Sequence, residues 1–100
     1  MDTPAVELVV VDGQPAVRGE CDLSSAADIE AFLSAFTGRT VEVDLSGVTF
    51  IDSSGLKAFL HARRRDPELR IVEPSAAVER LLRMTGTYDY LVHGTIDEDI

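Results

Sequence analysis

The chain has 100 residues, which suits one domain, residues 1–100, with a single hydrophobic core that needs no covalent staples. Nine basic side chains oppose 18 acidic ones for a formal charge of −9, and residues 1–52 hold 10 of the acids and only 2 of the bases. That balance argues against direct nucleic-acid binding, whose phosphate contacts need a basic face, and against anionic membrane surfaces.

The lone cysteine, Cys21, rules out an intrachain disulfide and points to a cytoplasmic protein. Met1-Asp2-Thr3-Pro4 lacks the basic start and long apolar run of a signal peptide, and no stretch approaches the ~20 apolar residues of a membrane span. Membrane insertion is therefore not expected.

In chain order, Val6–Val11 is an apolar run closed by Asp12-Gly13, a hairpin signal, and Pro15–Gly19 reads as the returning strand. Pro15 cannot donate to a ladder and is expected at a strand start or edge. Ser24-Ser25-Ala26-Ala27-Asp28 reads as a helix start with a serine N-cap and an acid three residues on. Ala27, Ile29, Phe32, Leu33 and Phe36 supply its apolar stripe, and Thr37-Gly38 ends it.

Val41, Val43 and Leu45 then alternate with Glu42 and Asp44, the period of a strand with one buried face. Ser46-Gly47 reads as a turn, followed by a second short strand-like patch, Val48-Thr49-Phe50-Ile51. From Leu56 the period changes: Leu56, Phe59 and Leu60 lie at i, i+3, i+4, one face of a helix that runs to about Arg65 and stops at Asp66-Pro67. Leu69–Val72 is a short strand. Ser75 caps a helix with Val78, Leu81 and Leu82 on its apolar face and Gly86 after its end. Tyr90-Leu91-Val92 reads as a last strand, and the acidic tail from Thr95 to Ile100 is expected to fray. After the first hairpin, strands alternate with amphipathic helices. That order predicts an α/β domain with a largely parallel sheet and right-handed crossovers.

The chemistry carried by these elements is sparse. His61 and His93 have no cysteine or histidine at metal-ligand spacing, so neither a metal nor another cofactor is expected, and there is no glycine-rich phosphate loop. The nucleophile elbow G-x-S-x-G is missing, because Asp52 stands two residues before Ser54. A serine nucleophile needs a base within hydrogen-bond reach, and His61 falls about 12 Å along a helix axis from Ser53. Cys21, between Glu20 and Asp22, lacks the positive surroundings of a reactive thiol and reads as a small core residue. The sequence does not read as an enzyme.

What stands out is the strand-to-helix junction Ile51-Asp52-Ser53-Ser54-Gly55. Asp and Ser are preferred N-caps, which accounts for Asp52-Ser53-Ser54 structurally. Capping does not account for Gly55 in the first turn, where glycine costs about 1 kcal/mol relative to alanine. A glycine there permits close approach by a backbone or a partner surface. An exposed serine beside it suits docking.

The run DLSGVTFIDSSGL resembles the signature of the STAS domain, the family of bacterial anti-sigma factor antagonists, or anti-anti-sigma factors. Val17-Arg18-Gly19-Glu20 with Asp22 resembles the family's G-E-L-D element, and SAAVERLLRMTG, residues 75–86, resembles the helix after its next strand. The resemblance implies a STAS-type fold, a four- to five-stranded mixed sheet covered by three or more helices. It also implies a non-enzymatic cytoplasmic regulator of transcription that works by partner switching. It would bind an anti-sigma factor of the serine-kinase type and free a sigma factor, until phosphorylation ends the binding. Carried over, the phosphorylated residue is Ser53, with Asp22, Ser24, Asp52, Ser54, Gly55, Leu56 and Lys57 at the contact, in a monomer or weak dimer. Cys21 stands where the family usually has leucine, and the family's final helix is expected to be shortened or missing. The same resemblance permits an alternative, a STAS subunit of a lipid-transport ATP-binding-cassette complex bound to its ATPase. An enzyme, a small-ligand binder and a partner indifferent to phosphorylation are the other readings.

Overall fold

The computed structural model describes residues 5–36 and 40–95. Strand β1, Val6–Val11, turns at Asp12-Gly13 into β2, Gln14–Cys21, and the two pair antiparallel with Val11 opposite Gln14. Both turn residues have positive φ, 54° and 81°, the conformation whose twist matches a two-residue hairpin and the reason for glycine at the second position. Pro15 is the second residue of β2, before the ladder to the next strand begins at Ala16. Strand β3, Val41–Ile51, runs parallel to β2, and β4, Leu69–Val72, parallel to β3. The order is β1-β2-β3-β4, so the sheet is mixed, with one antiparallel and two parallel pairs.

Helices α1, Leu23–Ser34, and α2, Ser53–Arg65, pack against each other and against the sheet. Helix α3, Ala76–Thr85, lies against β3. The core between sheet and helices comprises Val17, Cys21, Val41, Val43, Leu45, Leu69 and Ile71 from the strands, with Ile29, Leu33, Ala58, Phe59, Val78 and Leu82 from the helices. Phe59 is fully buried at its centre. Truncating such a ring typically costs ~3–5 kcal/mol. On α1 the buried positions are Ser25, Ile29, Leu33 and Phe36, with Phe32 half-buried and Ala27 exposed.

The sequence reading needs correction in three places. Ser46-Gly47 does not end a strand. β3 continues through it, and the register against β2 jumps from Ala16↔Asp44 to Arg18↔Gly47 and again from Gly19↔Val48 to Glu20↔Phe50. Each jump places one extra residue on β3, a bulge that flips the inward parity. Burial follows, passing from Val41, Val43 and Leu45 to Val48 and then to Ile51. The cap of α1 is Asp22, whose side chain accepts from Ser24 N–H while Ser25 closes a capping box, so the helix starts ahead of the two serines. Tyr90-Leu91-Val92 is not a strand. It lies in a π-helical turn, Asp89–His93, that packs on β4 and α2. The expected helix end at Thr37-Gly38 and the tail beyond Thr95 lie outside the described residues. Among the described residues no helix is long and apolar enough to cross a membrane.

Candidate functional site

Strands β2 and β3 end side by side, Cys21 opposite Ile51, and each passes into a helix through an aspartate. Asp22 and Asp52 both have extended backbones, with φ −137° and −122°, and both turn a carboxylate back onto the first turn of their helix. Asp52 Oδ1 accepts from the N–H of Ser54 at 2.9 Å and of Gly55 at 3.1 Å. Asp22 Oδ1 accepts from the N–H and the hydroxyl of Ser24, at 3.0 and 2.6 Å. Ser25 Oγ accepts from Asp22 N–H at 3.0 Å and donates to the carbonyl of Glu20 at 3.0 Å. The Asp52 N–H donates to the Cys21 carbonyl at 3.2 Å and ties the two junctions together. Two helix N-termini therefore open onto one surface, held by bonds that satisfy several of their orphan amides.

That surface presents Ser53 and Leu23, the first residues of α2 and α1. Ser53 is exposed, and among the described residues its hydroxyl makes no hydrogen bond. Leu23 is 79% exposed. Ser24 and Lys57 are exposed, while Asp22, Asp52 and Ser54 are half-buried. Gly55 and Leu56 are buried: a Cβ on Gly55 would overlap the carbonyl of Cys21, and Leu56 belongs to the core. The close approach that Gly55 permits is thus made by the chain's own β2. Sequence reasoning did not single out Leu23. The available signal was a large apolar residue between two strong capping residues, Asp22 and Ser24, where no core face continues.

The junction is electronegative. The Asp22 carboxyl is held below its ordinary range, first by the Ser24 hydroxyl and further by the Ser24 amide and the Ser25 hydroxyl and amide, against an opposing effect of desolvation. The Cys21 thiol is pushed up to about 12, first by burial and then by the charges of Asp22 and Asp52 on either side. It is a core thiol, not a nucleophile. Neither histidine serves Ser53: His61 Nδ1 lies 3.1 Å from Glu30, bridging α2 to α1, and His93 lies 4.0 Å from Asp89. Among the described residues no cluster of three or more His, Cys, Asp or Glu side chains is placed to hold a metal ion. The arrangement presents a rigid hydroxyl, an exposed leucine and a lysine at the mouth of two helices.

A mixed sheet whose parallel strands deliver two capped helices to one edge, with an exposed hydroxyl there, defines a small α/β domain. The chain belongs to the STAS domain family: the family model described as "Mlab, STAS domain" matches residues 7–93. Curated relatives in Listeria monocytogenes and Listeria innocua, each named anti-sigma-B factor antagonist, are 32% identical to it, with 75% of this chain and 72% of theirs aligned. The crystal structure of an anti-sigma factor antagonist from Mycobacterium paratuberculosis superposes with a TM-score of 0.71 at 25% identity, covering 92% of this chain and 87% of that one. The anti-sigma factor antagonist SpoIIAA in its unphosphorylated form shares the fold, with a TM-score of 0.62 at 22% identity over 95% and 90% of the two chains.

Proposed function

We propose that this protein is a cytoplasmic anti-sigma factor antagonist: it binds a serine-kinase-type anti-sigma factor through the Asp22–Ser24 and Asp52–Lys57 junctions, releases a sigma factor, and is switched off when Ser53 is phosphorylated. The observation that carries this reading is the free, exposed hydroxyl of Ser53 at the first position of α2. Family membership and relatives named anti-sigma factor antagonist support the regulatory role.

The switch works by charge on a scaffold that does not move. Phosphate adds about −1.5 to −2 charges. The Ser54 and Gly55 amides are already taken by Asp52, so the new anion has no reason to fold back onto them and stays facing outward. The helix dipole tolerates it there. A partner does not. Each like charge brought within ~4 Å costs roughly 4 kcal/mol at an effective dielectric near 20, and ~3 kcal/mol already exceeds a hundredfold in affinity.

The test is reconstitution with each serine-kinase-type anti-sigma factor encoded in the source genome, following binding by calorimetry and phosphate transfer by radiolabel. One such protein should bind the unmodified chain and label Ser53. Ser53→Ala should bind and stay unlabelled, and Ser53→Glu should lose at least about a hundredfold in affinity. Equal binding by Ser53→Glu would sink the switch. If the chain instead forms its stoichiometric complex with the ATPase of a lipid transporter, the alternative use of the STAS fold is the correct one.

A further inference from the structure

A second surface, separate from the Ser53 junction and independent of its role, lies along β3. Strand β4 pairs only with Val41–Asp44, and the Ser75 N–H donates to the Leu45 carbonyl at 3.2 Å. From Ser46 to Ile51, β3 is paired with β2 on one side and with no strand on the other among the described residues. Beside that open edge is a cavity of about 260 Å³ lined by Thr49, Phe50, Ile51, Ala77, Arg80, Leu81 and Met84.

The lining fixes the geometry. Thr49 is the residue that the second bulge adds to β3, so Thr49 and Phe50 are both exposed while Ile51 is buried, and a groove that touches all three runs past the bulge on the side of the strand that no other strand covers among the described residues. Ala77, Arg80, Leu81 and Met84 stand at i, i+3, i+4 and i+7, one face of α3. Phe50 is 48% and Met84 72% exposed, so the groove offers large apolar walls, one of them an adaptable thioether. Arg80 is exposed and forms no ion pair among the described residues, while its neighbours Glu79 and Arg83 are joined at 3.0 Å. In a chain of net charge −9, this groove carries an uncommitted positive charge.

We propose that this groove takes an extended segment of a partner protein by strand addition to the edge of β3, with an apolar side chain against Phe50 and Met84 and a carboxylate on Arg80. Three features choose that occupant together. An open strand edge asks for main-chain donors and acceptors in extended form. The apolar walls ask for a side chain at every second position. Arg80 asks for an acid. A second copy of this strongly acidic chain gains less, because its overall charge repels its twin.

The probe is a capped six-residue peptide alternating valine and threonine with one central glutamate, titrated into the full ¹⁵N-labelled chain. Amide shifts should fall on residues 46–51 and on α3. Arg80→Glu, at an exposed position, should weaken binding about three- to tenfold. A peptide carrying lysine in place of glutamate should restore it to that variant. Met84→Lys should weaken binding about tenfold. A peptide N-methylated at alternate residues should not bind. Equal binding by the N-methylated peptide would reduce the site to an apolar slot and overturn strand addition. So would shifts confined to β1, the sheet's other edge, or to the Ser53 junction. Concentration-dependent shifts of residues 46–51 without peptide would identify a second copy as the occupant and overturn the proposal too.

Discussion

Gly55 lies against the carbonyl of Cys21 with no room for a side chain between them: a Cβ there would overlap the carbonyl oxygen and stand 2.8 Å from the Cys21 Cβ. The contact lets α2 begin directly over the end of β2. It sets up a sign test. In an ordinary helix interior, glycine to alanine gains about 1 kcal/mol. Here overpacking against backbone costs ~1–3 kcal/mol, so Gly55→Ala should lower stability. Denaturant unfolding should show a reduced midpoint at unchanged m. A gain in stability would mean that α2 can lift off β2, and that the junction is less rigid than described.

A negative charge at Ser53 should leave the fold nearly untouched. The dipole at the start of α2 favours an anion by ~0.3–1 kcal/mol. Asp52 beside it and the nearby Asp22 oppose it, and both carboxylates accept from first-turn amides of their helices. The net change for Ser53→Glu should fall within about 0.5 kcal/mol. Thermal melts of the variant and the wild type should coincide to within a few degrees. A large loss would show that charge at this position acts by unfolding α2, which is not the mechanism proposed.

The sequence showed most clearly those parts whose local chemistry agreed with the tertiary structure. Leu56 and Phe59 pointed α2 at the core by spacing alone, Asp12-Gly13 named its turn, and Ser75 and Gly86 bracketed α3 at the positions they occupy. What escaped was decided by neighbours. Asp22, Ser24 and Ser25 are all able caps, and only the ending of β2 at Cys21 selects Asp22. Ser46-Gly47 has turn composition, yet the pairing of β3 with β2 on both sides of it absorbs the extra residue as a bulge. The three-residue run Tyr90-Leu91-Val92 is too short to declare its period, and a buried arginine settles its conformation. At the site, Asp52 and Ser53 could be read from the motif. The exposure of Leu23 could not, because it depends on where α1 points.

The Cys21 thiol, ordinarily near 9.0, stands at about 12 in the folded protein. A raised folded value means that the native state holds the proton more tightly than the unfolded chain. The associated stability is complete below pH 9.0 and is lost as pH rises toward 12. At pH 8 the native thiol should resist Ellman's reagent and react at once in denaturant. Unfolding midpoints should begin to fall above about pH 9, and less steeply in Cys21→Ala. Rapid modification of the native protein at pH 8 would show that the junction opens to solvent.

Arg63 is 6% exposed on α2, with Nε donating to the Tyr90 carbonyl and Nη2 to the Gly94 carbonyl, both at 3.3 Å, and its guanidinium 4.5 Å from the Tyr90 ring centre. It therefore fastens the π-helical turn Asp89–His93 to α2, binding two carbonyls that a regular helix or strand would have satisfied. Arg63→Met keeps most of the volume and removes both bonds. It should cost ~2–3 kcal/mol, because the bonds are charge-assisted and their loss strands two part-buried acceptors. Arg63→Lys should recover only part of this, since one ammonium lacks the planar fork that reaches both carbonyls. Hydrogen exchange should localise the effect, with faster exchange at residues 89–94 and little change at the Asp52 junction. Acceleration spread evenly over the chain would show that Arg63 supports the whole core instead of this one segment.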